Sequence, residues 1–353
     1  MKPCLVILDS LEYKKRECEL KEALDGIAEV SFFYSKYENC ITEHFAKMHC
    51  WGSFFQHIAY WLLSLWYAII LLCRFKKYET LIFINPIVAF FYSGLSRIFS
   101  NKKQISIGGF LFENKSSRFY LILRKILVNF CYKYVNNLFV YGEKEVDYYE
   151  LLFPHLCGKF KYVKYGKDFI YKDKKAFSHK ESYIASGGRS NRKFETLAEA
   201  MTIIKEKNIG VDCMVATRPE CISLEIENSP LKIIYGITLN QFGSFVEGAL
   251  AFILPLKNIS LSAGHMAMME AMFCGRPIIV TDIPAIRDYV SDQEVFFYKP
   301  DDAVDLADKI EFVLENLDKE VVLSKIEAGK KLYESEFSFR ALLVRIVSKS
   351  IGI

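Results

Sequence analysis

Between Phe252 and Tyr289 an apolar run, a loop of small residues, an apolar helix and a second apolar run follow in order. Phe252-Ile253-Leu254-Pro255-Leu256 reads as a buried strand, and Pro277-Ile278-Ile279-Val280-Thr281 reads as the next one. Ser262-Ala263-Gly264-His265 leads into a helix over Met266–Cys274, which Gly275 stops and Pro277 keeps from resuming. A helix start of this kind carries free backbone N–H groups and the positive end of the helix dipole, so it suits an anion, above all a phosphate. The helix holds a single charge, Glu270, among Ala, Met, Phe and Cys. A carboxylate in such surroundings needs hydrogen-bond partners, and a ligand rich in hydroxyls supplies them. Phosphate at the helix start and hydroxyls further along point to a nucleotide sugar.

The rest of the chain repeats this alternation. Cys4–Leu8, Leu81–Asn85, Gln104–Ile107, Asn137–Tyr141 and Phe160–Lys164 read as strands. Helices are expected over Phe54–Cys73, Ile87–Ser100, Ser117–Val135 and Lys144–Phe153. The lysine-rich stretch Gly166–Glu181 reads as a linker. Beyond it come the strand Ser182–Ala185, a polar loop Gly187–Lys193, the helix Phe194–Lys207, and strands over Val211–Ala216 and Leu231–Tyr235. Helices over Gln241–Glu247, Ala303–Asn316, Lys319–Tyr333 and Phe337–Lys349 complete the pattern. Strands alternating with helices imply parallel sheets covered on both faces. The expected fold class is therefore α/β, two doubly wound Rossmann-like domains facing a cleft, with ligands at the strand ends. The domains are expected at 1–166 and 182–335, the second carrying the loop-to-helix unit suited to a nucleotide sugar. Residues 167–181 would link them, and a helix over 336–353 would return to the first domain.

Charge divides the halves. Residues 1–170 carry 23 Lys/Arg against 16 Asp/Glu, and residues 171–353 carry 23 against 26. With 52% apolar and 15% aromatic residues, the basic first half suits an anionic membrane surface, and no nucleic-acid-binding signature accompanies the charge. The chain is expected in the cytoplasm, peripheral on the inner leaflet of the plasma membrane. Its ten cysteines form no Cys-x-x-Cys pair and read as reduced core residues, and the N-terminus reads as a first strand rather than a signal peptide. Trp51–Cys73 has no formal charge apart from His57 and is long enough to span a bilayer, but Ser53, Gln56, His57 and Ser64 dilute it. A buried crossover helix is the reading taken. The cations of Ser117–Val135 fit either a solvated outer face or a bilayer contact.

With these motifs in place, the chain resembles a retaining glycosyltransferase of the GT-B fold, family 4 type. The resemblance rests on Gly187–Leu197 and on Ser262–Asp288. In that family a Gly-Arg followed by a second cation binds the donor diphosphate. Gly188-Arg189 matches the first element, and Arg192, with Lys193 beside it, matches the second. Glu270 matches the glutamate that holds the nucleotide ribose. The resemblance implies Arg189, Arg192 and Glu270 as catalytic, and Gly188, Lys193, Ser262, Gly264, His265 and Met266 as further donor-binding residues, with no metal and no cofactor. The chemistry agrees, since guanidinium groups fit phosphate oxygens and stabilise a departing diphosphate. Three departures stand out. Ser262 replaces the family's first glutamate, Asp9-Ser10-Leu11-Glu12 replaces its glycine-rich loop, and Gly108-Gly109-Phe110 occupies the place of its histidine.

The expected activity is sugar transfer from a nucleoside-diphosphate donor to a glycan or lipid-linked acceptor, with retention, toward a surface polysaccharide. Two alternatives remain open: a non-catalytic partner in a glycan-assembly complex, and an epimerase using Asp9, Glu113 and Glu270. No Gly-x-Gly-x-x-Gly, Walker loop, Asp-x-Asp or zinc-type histidine pair occurs. His265 fits packing as well as binding, Thr281-Asp282 fits a turn cap, and Arg218 is a further candidate near the base or phosphate.

Overall fold

The computed structural model describes residues 3–9, 11–35, 52–99, 103–112, 118–170, 177, 179, 181–258 and 261–353. Ser10, Trp51, Ser100, Glu113, Ser117 and linker residues 171–176, 178 and 180 lie outside the described residues. The chain divides into two compact units, Met1–Val163 with Leu342–Ile353, and Lys164–Ala341.

The first unit is built on a six-stranded sheet of order β2-β1-β3-β4-β5-β6, parallel at every pairing. Its strands are β1 Cys4–Leu8, β2 Val30–Tyr34, β3 Thr80–Phe83, β4 Gln104–Ile107, β5 Asn137–Val140 and β6 Phe160–Tyr162. Every residue of β1 is buried, as a central strand with helices on both faces requires. Strand β2, with the helix Glu17–Leu24 before it, is an addition to the sequence expectation. It lies at the sheet edge and is only half-buried, so its apolar signal is diluted. The step from β1 to β2 runs one way along the sheet, and every later step runs the other way. Right-handed crossovers then put the helices Gly52–Arg74, Pro86–Ile98, Arg118–Tyr132 and Glu143–Leu152 together on one face. Pro86–Ile98 accordingly packs between its two neighbours. It starts cleanly because Asn85 Oδ1 accepts hydrogen bonds from Ile87 N (3.1 Å) and Val88 N (3.2 Å), a cap worth about 1 kcal/mol. The end of the last helix, Phe339–Ile351, joins this unit, with Gln104 Nε2 donating to Ser350 O (2.6 Å) and Lys349 Nζ to Tyr162 O (2.7 Å).

The second unit holds β7 Tyr183–Gly187, β8 Asp212–Ala216, β9 Leu231–Ile234, β10 Phe252–Leu254, β11 Ile278–Thr281 and β12 Phe296–Tyr298. Their order is β12-β11-β10-β7-β8-β9, again parallel throughout. From β7 the chain winds outward to β9, returns to β10, and winds outward the other way. The reversal falls between β7 and β10, and in open α/β sheets ligands bind at that point, beyond the strands' C-terminal ends. Gly187 closes β7 instead of opening the loop, and β12 was not expected. One face of this sheet packs Phe194, Leu197, Ile204, Ile253 and Ile279 into a continuous core.

Both units are doubly wound and Rossmann-like, the fold expected. Among the described residues no helix is long and apolar enough to cross a membrane, and Gly52–Arg74 is a crossover helix. The eight described cysteines are free, but only Cys4, Cys131 and Cys213 are buried. The expectation of core cysteines fails for Cys18, Cys73 and Cys157, which are exposed. Apolar neighbours in sequence do not bury a residue on the outer side of its element.

Candidate functional site at the chain reversal of the second unit

Two loops meet beyond the reversal. One, 188–193, follows β7, and the other follows β10. They are pinned together by backbone bonds, Lys193 N to Pro255 O (3.1 Å) and Lys257 N to Asn191 O (3.0 Å), with an antiparallel bridge between Arg192 and Leu256. Thr281, buried at the end of β11, accepts from Leu256 N (2.8 Å) and steadies the second loop from below. Asp282 pairs with Arg287 at 2.7 Å, so Thr281-Asp282 is structural in this geometry.

The second loop ends in a helix start whose backbone favours glycine. Gly264 has φ +81°, and a Cβ there would lie 2.9 Å from Leu254 Cδ2 and 3.1 Å from Leu256 Cδ2. The helix His265–Phe273 therefore begins hard against the end of β10. Its first-turn N–H groups have no intrahelical acceptor and point outward from the start of the helix. Ser262 is half-buried ahead of it, and Met266 is exposed on its first turn. Glu270, one turn beyond Met266 on the same face, is buried.

His265 is locked. Its ring lies 4.0 Å from that of Tyr289, and Nε2 is 2.9 Å from Ala285 O. The Nε2–H tautomer satisfies that carbonyl. Burial, followed by the charge of Arg192, pushes its pKa down to about 4, so it is neutral at pH 7. Its imidazole is a packing group here, and its backbone N–H is one of the first-turn groups without an intrahelical acceptor.

The first loop carries the charge. Gly188 has φ +116°, and a Cβ there would run into the Arg192 guanidinium. Arg192 donates from Nε to Gly187 O (2.8 Å) and from an Nη to Ser190 O (2.8 Å). Loss of hydration brings its pKa down to about 10, so it stays a cation. Among the described residues no carboxylate pairs with Arg192 or with Arg189, whose side chain is exposed. Lys193 lies 3.7 Å from Asp301. Two residues absent from the sequence reading hold this loop: Thr217 Oγ1 donates to Gly188 O (2.6 Å) and Cys221 Sγ to Arg189 O (3.3 Å). Nothing local in Ala216-Thr217-Arg218 announces that role, which depends on β8 lying beside β7. Arg218 is exposed and 3.5 Å from Glu220.

A cluster with cation-ligand spacing sits elsewhere. His179, Glu181 and Asp212 each offer a ligand atom within 4.8 Å of the others, at the opposite ends of β7 and β8. The Lys232 ammonium already pairs with Asp212 and lowers its pKa, so the cluster is met by a side chain.

Residues 182–316 match the family described as glycosyl transferases group 1. That stretch contains both loops. No curated protein matches the chain. Among solved structures, the catalytic domain of starch synthase IV from Arabidopsis thaliana, bound to ADP and acarbose, is similar at 12% identity and TM-score 0.63, with 100% of each chain covered. HepE from Anabaena in complex with UDP-glucose gives 10% identity and TM-score 0.61, again over 100% of both. Sucrose-phosphate synthase from Thermosynechococcus elongatus gives 12% and 0.59 over 100% of this chain and 99% of the other. At these identities the likeness establishes the GT-B fold.

Proposed function

We propose that the chain transfers a sugar, with retention, from a nucleoside-diphosphate donor to a glycan or lipid-linked acceptor. The observation that carries this is Arg192, a partly desolvated cation with which no carboxylate among the described residues pairs, held by backbone carbonyls where β7 and β10 diverge. A partly desolvated charge of this kind is stabilised by an anion, and the diphosphate of a departing nucleotide is one of fitting shape. Arg189 and the N–H groups after Gly264 would share that charge, and Lys193 would add a third cation. Met266 would border the donor, Ser262 would line its entry, and Glu270 would accept from the ribose hydroxyls. Charge balance would then come from the protein, with no metal required. The match of residues 182–316 supports the class of reaction, and a UDP-glucose-bound structural neighbour makes uridine donors the first to try.

The test incubates purified protein with UDP-, GDP-, CDP- and ADP-sugars, with and without lipid extracts and oligosaccharide acceptors, and follows free diphosphate and product. Acceptor-dependent release of one diphosphate, with an axial-donor sugar remaining axial by NMR, is the expected result. A donor sugar altered without acceptor would replace the proposal with epimerisation. Binding without turnover on any acceptor would favour a non-catalytic role.

A further inference from the structure

The surface helix Arg118–Tyr132 is apolar on its outward side as well as on the buried side, where Val128, Cys131 and Tyr132 lie. A helix on a sheet normally points apolar residues inward and charges to water. Here Phe119, Ile122 and Ile126 are 78%, 59% and 59% exposed, while Arg124 and Lys125 are half-buried. The Arg124 guanidinium lies 4.3 Å from the Phe112 ring centroid, folded back toward the protein. Of the two readings left open for these cations, a uniformly charged outer face does not hold: the outward face is greasy. Across the same layer, Gly52–Arg74 exposes Trp61, Leu62 and Trp66 at 52%, 62% and 58%. Pro86–Ile98 joins the two, and Arg97 caps the layer by donating to Phe130 O at 2.7 Å.

Charge says what covers this face. The three helices contain no Asp or Glu, yet they carry Arg74, Arg97, Arg118, Arg124 and Lys125, with Lys76, Lys77 and Lys133 just beyond their ends. Glu143–Leu152, the next helix along, has four acidic residues. Tryptophan, phenylalanine and long aliphatic side chains on helices whose only charges are cations suit the boundary between headgroups and acyl chains. A second copy of the chain would set cations against cations. We infer that the three-helix face of the first unit docks in the plane of an anionic phospholipid bilayer, apolar side chains in the acyl boundary and basic residues at the headgroups.

Flotation of the full chain with vesicles tests this. Vesicles of phosphatidylcholine containing one quarter phosphatidylglycerol should carry the protein, and phosphatidylcholine alone should carry at least about tenfold less. Ile122→Ser/Ile126→Ser should lose about tenfold or more on the acidic vesicles. Arg118→Glu/Lys133→Glu should lose about fivefold per cation removed, and added salt should weaken the wild type. Circular dichroism and unchanged diphosphate binding confirm that the variants fold. Equal affinity for both vesicle types, or none for either, overturns the inference. So does a wild-type dimer that Ile122→Ser/Ile126→Ser converts to monomer, since another copy would then be the partner.

Discussion

The two sheets share one plan and differ in where they leave groups that water or neighbours would ordinarily satisfy. In the second unit the unusual groups sit at the strand ends: two positive-φ glycines, a desolvated arginine and a neutral buried histidine. In the first unit they lie on the outer helices, where apolar side chains face outward and cations fold back. Desolvated charge at a strand end favours a small, highly charged ligand, whereas exposed apolar area rimmed with charge favours an extended one. If both proposals hold, one fold supports two kinds of recognition, and the helix surface and loop ends can diverge because neither holds the sheet together.

The contrast predicts a graded set of responses. Gly264→Val should have the largest effect, costing about 3–5 kcal/mol through left-handed strain and collision with Leu254 and Leu256, read by urea unfolding. His265 should make the second unit acid-sensitive. Its folded pKa of about 4 lies below the ordinary value of 6.5, so the unfolded chain binds the extra proton first. Stability is lost as pH falls from about 6.5 toward 4, by about 3 kcal/mol in full, and His265→Leu should flatten that slope. The arginines should separate. Arg192→Ala should cost about 1–2 kcal/mol and also weaken diphosphate binding, because it leaves Gly187 O and Ser190 O without their donors. Arg189→Ala should leave stability within about 0.5 kcal/mol and weaken only binding. Smallest of all, Ile122→Ser/Ile126→Ser should change stability by less than about 0.5 kcal/mol, while Val128→Ala on the buried side of that helix costs about 1–2. Comparable losses at Ile126 and Val128 would erase the distinction between the units.

Much of the fold was legible because parallel strands buried on both faces are near-continuous apolar runs. Cys4–Leu8 and Ile278–Thr281 show this. The edge strands β2 and β12 escaped notice: one is half-buried and the other is three residues long. At the candidate site, the glycines and cations of 188–193 and the start at Gly264 could be read locally, since φ and charge are properties of short segments. Their pinning by Lys193–Pro255 and the support from Thr217 and Cys221 could not, since these join residues far apart in sequence. The same limit hid the outward face of Arg118–Tyr132. Spacing gives a stripe, but which side meets the sheet depends on how the helix packs. Acceptor-side chemistry had no comparable local signature, and Ser10 and Glu113 lie outside the described residues.

The chain reversal of the second unit is proposed to bind a nucleoside diphosphate. Calorimetric titration of the full chain with UDP, GDP, CDP and ADP, repeated on Arg189→Ala and Glu270→Ala, tests it most directly. Saturable binding of one diphosphate, weakened about tenfold or more by each substitution, is the expected result. No binding of any of the four by folded protein, or binding that both variants leave intact, would contradict it.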